Sequence, residues 1–209
     1  LYSAGATSRQ GRVDDESSVL DFEPEEMRRK ATLSTAFHTL AWKKYDICLV
    51  DPPGYANFLP DTRYAMESMS GAIFVASLTG HLKVEGERLW NWAKDMNIAR
   101  IVCLSKVDRE EGEFGTAIAE LGSALEATLV PIQIPIGAQA DFRGVVDLLA
   151  MKALIFDGDN GAVTTEDIPS EVQGQADEYR EKLLEAVVET NDDLLTRYLE
   201  GEELSTGEI

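Results

Sequence analysis

The stretch Ile47-Cys48-Leu49-Val50-Asp51-Pro52-Pro53-Gly54 constrains the fold most. An apolar run ends in a carboxylate, and two prolines and a glycine then turn the chain. A continuous apolar run of this kind predicts a buried parallel strand, with Asp51 delivered to the carboxyl edge of its sheet. Ligands of open α/β sheets bind at that edge. Asp51-Pro52-Pro53-Gly54 also fits an ordinary turn, and on this stretch alone both readings stand.

The flanking sequence favours alternating strands and helices. Residues 6–31 are polar and charged and read as a mobile loop. Residues 32–42 and 45–50 form a hairpin around Lys43-Lys44. Helical spacing covers 60–69, 84–96 (Leu89, Trp92, Ala93 and Met96 on one stripe) and 113–127. Apolar strands at 71–77 and 99–104 lie between them. This alternation predicts a mostly parallel sheet covered on both faces.

The pattern changes after residue 128. Residues 129–136 alternate with prolines, as in an edge strand. Short strands at 145–149 and 151–156 and a turn at Gly158-Asp159-Asn160-Gly161 follow. A helix from Ser170 to about Val188 then carries Tyr179, Leu183, Leu184 and Val187 on one stripe, and a last helix covers 192–199. The predicted division is 1–128 for the α/β domain and 129–209 for a strand-plus-helix subdomain.

Composition narrows the function. The 209 residues carry a net charge of −19, and 16 acidic against 3 basic residues between Asp157 and Ile209 account for −13 of it. Phosphate contacts need Lys and Arg, so that surface is not expected to bind nucleic acid directly. It suits either a basic protein partner or a solvated acidic face. No apolar run approaches the roughly 18 residues of a membrane span. Cys48 and Cys103 sit in apolar runs and are expected to be buried thiols of a cytoplasmic protein. Leu1-Tyr2-Ser3-Ala4-Gly5 reads as a helix end capped by glycine, so the sequence is expected to start inside a fold.

Three features then stand in order: Thr32 before the hairpin, Asp51-Pro52-Pro53-Gly54 after it, and Ser105-Lys106-Val107-Asp108 at a strand end. In nucleotide hydrolases, the Asp of Asp-x-x-Gly holds Mg²⁺ and the Gly amide points at the γ-phosphate. An Asn/Thr-Lys-x-Asp turn reads guanine, because its carboxylate accepts from both N1–H and the 2-amino group, a donor pair adenine lacks. Other readings of the same residues are a helix N-cap at Asp108, with Glu111 three residues on, and a plain strand residue at Thr32. His38 and His81 fit no ligand constellation, and no serine has a base at usable spacing.

Taken together, the sequence resembles the G domain of bacterial elongation factor G. Asp51-Pro52-Pro53-Gly54-Tyr55-Ala56-Asn57-Phe58 stands where that family has Asp-Thr-Pro-Gly-His-Val-Asp-Phe. Pro135-Ile136-Gly137, Phe142-Arg143-Gly144-Val145-Val146-Asp147-Leu148 and Tyr198-Leu199-Glu200-Gly201-Glu202-Glu203 resemble its inserted G′ subdomain. The resemblance implies an α/β, P-loop GTPase-like, mostly parallel sheet, truncated at its N-terminus, with an inserted α+β G′ subdomain. It implies GTP or GDP and Mg²⁺ as ligands, and GTP hydrolysis on the ribosome during protein synthesis. Thr32 and Asp51 would serve the metal. Gly54 would sense the γ-phosphate, and Tyr55 stands where the family's water-orienting His does. Ser105, Lys106 and Asp108 would read guanine. The acidic subdomain would meet the ribosomal stalk protein, rRNA being contacted only by parts outside this chain.

The departures are Pro52 for Thr, Tyr55 for His, Ser105 for Asn and Lys30 for Gly. No Gly-x-x-x-x-Gly-Lys-Ser/Thr occurs within the 209 residues, so these residues alone are expected to be inactive. A Tyr at 55 resembles divergent elongation-factor-G-like paralogues, and Tyr55 also reads as a packing or blocking residue. The alternative function is a guanine-nucleotide-binding regulator with little hydrolysis.

Overall fold

A two-residue turn at Lys43-Lys44, with Lys43 in the left-handed region at φ +56°, closes the hairpin of β1 (Ala36–Trp42) and β2 (Tyr45–Asp51). The strands pair antiparallel from Trp42 opposite Tyr45 to Ala36 opposite Asp51. The computed structural model describes every residue except Gly80, His81, Lys83, Glu110, 158–161 and Glu203. The predicted turn at 158–161 and His81 therefore lie outside the described residues.

The chain divides into two compact units, 1–75 with 82–103, and 76–81 with 104–209. In the first, α1 (Pro24–Arg29) forms inside the segment read as a mobile loop. Its sequence explains why: Pro24 occupies the first turn, and the Glu26 carboxylate accepts from the Glu23 N–H at 2.8 Å, closing the helix N-terminus. α2 (Leu59–Met66) follows the Asp51 turn. β3 (Gly71–Ser77), α3 (Val84–Asp95) and β4 (Ala99–Ser105) make a strand–helix–strand unit with β3 and β4 hydrogen-bonded in parallel. Trp90 and Ala93 are the buried positions of α3. Trp90 lies between the Phe74 ring, 5.1 Å away edge-on, and the Arg100 guanidinium at 4.5 Å.

Three expectations are corrected here. The strand ending at Asp51 is not buried over its length: Tyr45–Cys48 are exposed, and only Leu49–Asp51 are half-buried. Nor are the β3 and β4 faces both covered, since Ile73, Val75 and Ile101 are exposed while Phe74 is buried. Cys48 and Cys103 point with the exposed residues rather than into a core. An apolar run fixes strand character, but burial needs a neighbouring element on each face. Among the described residues, β1–β2 and β3–β4 form separate two-stranded sheets.

The second unit encloses its own core. β5 (Gln133–Ile136), β6 (Gly144–Asp147), β7 (Lys152–Asp157) and β8 (Ala162–Glu166) form an antiparallel sheet in that order, with the proline-bearing β5 at an edge as expected. β8 was not foreseen; its five residues are all exposed and carry no apolar alternation. α5 (Ser170–Val188) lays Ala176 and Leu183 against Ile134, Ile136, Val146, Leu148 and Ala153, with Tyr179 and Val187 packed beside them. Leu184 faces a separate cavity of about 420 Å³ shared with Tyr198 of α6 (Asp192–Leu199). α4 (Phe114–Ala124) joins this core through Phe114, edge-on to Tyr179 at 5.9 Å.

Candidate functional site

In the first unit, Thr32 lies in the connection between α1 and β1, which removes its reading as a strand residue. Its hydroxyl donates to Asp21 Oδ1 at 2.9 Å, and Asp21 is buried. Glu26, fully buried, anchors the same connection: Oε1 accepts from the N–H groups of Leu33 and Ser34, both at 2.8 Å. Burial pushes the Glu26 carboxyl up, but the N–H donors of Glu23, Ser34, Leu33 and Phe22 outweigh it and hold it below the ordinary range.

Asp51 ends β2 half-buried. Burial first, and then the negative charges of Asp21 and Glu26, raise its carboxyl above the ordinary range. The turn behind it is fixed by Pro53, which is buried and whose carbonyl accepts from the buried Thr62 hydroxyl of α2 at 3.3 Å. Gly54 is exposed, and a Cβ there would meet nothing within 4 Å, so no neighbour in the chain demands a glycine. Tyr55 is 56% exposed, which removes its reading as a packing residue.

In the second unit, Ser105 ends β4 and the chain turns through Lys106-Val107-Asp108, closed by the Arg109 N–H donating to the Lys106 carbonyl at 3.0 Å. Lys106 is left-handed at φ +61°, a costly conformation for a residue with a side chain. The Val107 carbonyl accepts from the Gln139 N–H at 2.9 Å. Asp108 is exposed, and one carboxylate oxygen, Oδ2, accepts from Arg109 Nε at 3.1 Å. Asp108 is not the cap of the next helix. Glu113 takes that role, accepting from the N–H groups of Gly115 and Thr116 at 2.9 and 2.6 Å. Thus Thr32 and Asp51 share one acidic neighbourhood with Asp21, and Ser105, Lys106 and Asp108 share one turn.

Residues 1–202 match the family described as the elongation factor Tu GTP binding domain. The chain belongs to that GTP-binding family. Elongation factor G of Thermotoga sp. (strain RQ2) is 37% identical over 210 residues, covering 100% of this chain and 30% of that protein. Elongation factor G of Thermotoga maritima matches to the same extent, 37% over 210 residues. A crystal structure from Thermus thermophilus superposes with a TM-score of 0.89 at 31% identity, over 98% of this chain and 30% of that one. The chain thus spans about a third of the length of these relatives (30%). The P-loop GTPase-like α/β class and the resemblance to elongation factor G both hold.

Three residues that hold the candidate site's backbone and side chains in place were not singled out from the sequence. Asp21 and Glu26 lie in the polar stretch read as mobile; the Pro24 and Glu26 spacing of a helix N-terminus was the available signal. Gln139 left no local signal, because its contact with the Ser105–Asp108 turn is made by its backbone N–H.

Proposed function

We propose that the chain is the nucleotide-binding part of an elongation-factor-G-like translation GTPase that works on the ribosome in the cytoplasm. The 37% identity to elongation factor G over the whole chain carries this reading. In it, residues 1–128 form the G domain and 129–209 the G′ subdomain. Ser105, Lys106 and Asp108 read guanine, Gly54 offers its amide to the γ-phosphate, and Tyr55 orients water through its hydroxyl.

Mg²⁺ suits Asp51 and Thr32. Among the described residues no three His, Cys, Asp or Glu side chains converge to cage an ion. Mg²⁺ needs no cage, since it keeps water and takes one or two carboxylates plus phosphate oxygens. Asp51 is half-buried and feels the negative charges of Asp21 and Glu26, so a cation beside it would offset both burial and like-charge repulsion. Thr32 would exchange its bond to Asp21 for the metal. The ion would neutralise charge developing on the phosphates.

The acidic subdomain, through the exposed Glu178, Glu181 and Glu185 of α5, would meet the ribosomal stalk protein. Single-turnover GTP hydrolysis by the full-length protein, with and without ribosomes, tests the reading: ribosomes should raise the rate, and an unchanged rate contradicts it.

A second reading, a slow-hydrolysing nucleotide-binding regulator, is favoured by the exposed phenol of Tyr55 where an imidazole is expected. Tyr55→His separates the two. Water positioning is worth about 10²–10⁴-fold, so a regulator should gain hydrolysis within that range. A fall in rate makes Tyr55 the catalytic group.

A further inference from the structure

Lys106 and Gln139 are both left-handed without being glycine, at φ +61° and +51°, and they flank the hydrogen bond from Gln139 N–H to the Val107 carbonyl at 2.9 Å. Such conformations persist only where the surroundings over-determine them. At Gln139 the surroundings are visible. Gly137 turns the loop at φ +77°, where a Cβ would collide with the Asp141 carbonyl. The N–H groups of Asp141, Phe142 and Arg143 donate to the carbonyls of Ala138, Gln139 and Ile136 at 3.0, 3.1 and 3.1 Å. Ile136, at the loop's root, is buried in the core of the second unit. The loop is therefore a rigid extension of the β5–β6 pair.

We propose that Gln139 is a positioning residue for guanine recognition: its backbone N–H clamps the Val107 carbonyl and so sets where Asp108 presents its carboxylate. The proposal rests on the guanine-reading role of the Ser105–Asp108 turn and deepens it. Val107 is the peptide neighbour of both Lys106 and Asp108, so a shift of its carbonyl rotates the backbone on either side. A carboxylate accepting from two donors on one base edge tolerates little rotation, because hydrogen bonds weaken steeply off-axis. The inserted subdomain thereby contributes to nucleotide specificity without touching the base.

The test uses the full-length protein and fluorescent GDP and IDP, the latter lacking the 2-amino group. Gln139→Val, whose β-branch makes positive φ a genuine outlier, should speed GDP release about ten-fold, the worth of the lost bond from its N–H to the Val107 carbonyl. It should speed IDP release less, narrowing the GDP/IDP ratio. Gln139→Gly and Gln139→Asn, both at home at positive φ, should keep the original ratio. If Gln139→Val does not fold, Gln139→Thr, also β-branched, makes the same comparison. Unchanged GDP/IDP ratios in a folded Val or Thr variant overturn the clamp, as does a Gly variant that loses the ratio. Asp108→Asn in parallel reports on the turn itself: retained GTP preference over XTP overturns the guanine reading and the clamp together. A switch to XTP with unchanged Gln139 variants overturns the clamp alone.

Discussion

In β3, Ile73 and Val75 are 69% and 63% exposed, whereas in β5 Ile134 and Ile136 are 0% and 1% exposed. Both strands are apolar and both are short. The difference lies in what each sheet has beside it. β5–β8 are covered by α5, whose stripe at Ala176, Leu183 and Val187 closes the core. β3–β4 present Ile73, Val75 and Ile101 outward, and β1–β2 form a sheet of their own. Apolar content alone therefore does not decide burial. The second unit supplies its own lid, while the first holds its order through local devices such as Glu26.

The largest expected effect exploits that contrast. Leu148→Ala, in the sealed core, should cost about 2–5 kcal/mol, whereas Ile73→Ala should stay within about 0.5 kcal/mol. All three tryptophans, Trp42, Trp90 and Trp92, lie in the first unit, so their fluorescence reports that unit alone. Urea unfolding of this chain should then show Leu148→Ala moving the circular-dichroism transition and leaving the fluorescence transition in place. Equal losses for both variants would erase the distinction between the units.

A smaller effect concerns the first unit. Glu26→Gln sets an amide N–H against the Glu23 N–H and should cost about 1–3 kcal/mol at neutral pH, read from tryptophan fluorescence in urea. The pH dependence has a definite sign. Glu26 lies below its ordinary range in the fold, so its stabilisation is complete above the ordinary carboxylate value and fades as pH falls through the lowered one. Asp51 is raised, so its contribution is full at low pH and is lost as pH rises through the raised value. Asp51→Asn should therefore stabilise the first unit at neutral pH, with the gain shrinking on acidification, and should weaken the Mg²⁺ dependence of nucleotide binding. A destabilised Asp51→Asn at neutral pH would contradict the acidic-neighbourhood account.

The smallest effect tests the outer face of the sealed unit. Reversing Glu178, Glu181 and Glu185 to Lys breaks the exposed Glu178–Lys182 pair, which should cost little stability and leave nucleotide affinity unchanged. Ribosome-stimulated turnover should fall several-fold, and the deficit should shrink with salt because charge steering is screened. Unchanged stimulation returns this face to simple solvation.

Much of this was legible in the sequence. α5 and α6 fall where the apolar spacing placed them, and the hairpin, the Asp51 turn and the Ser105 turn stand where their residues predicted. What was not legible depends on partners distant in sequence. Burial of Cys48 and Cys103 failed because an apolar run says nothing of the element meant to cover it. α1 was hidden in a charged stretch whose order comes from one buried carboxylate collecting backbone N–H groups of Glu23, Leu33 and Ser34. β8 was missed because its residues are all exposed and carry no apolar pattern; it is placed by backbone pairing with β7, from Ala153 opposite Glu166 to Asp157 opposite Ala162.

The claim on which the functional account turns is that Asp108 reads guanine. Its direct measurement is the relative affinity of the full-length Asp108→Asn variant for GTP and XTP. Losing a charged acceptor from two base donors should weaken GTP binding about 10²–10⁴-fold. XTP, with an oxygen at C2 facing the new amide donor, should become the preferred nucleotide. A variant that still prefers GTP would contradict the account.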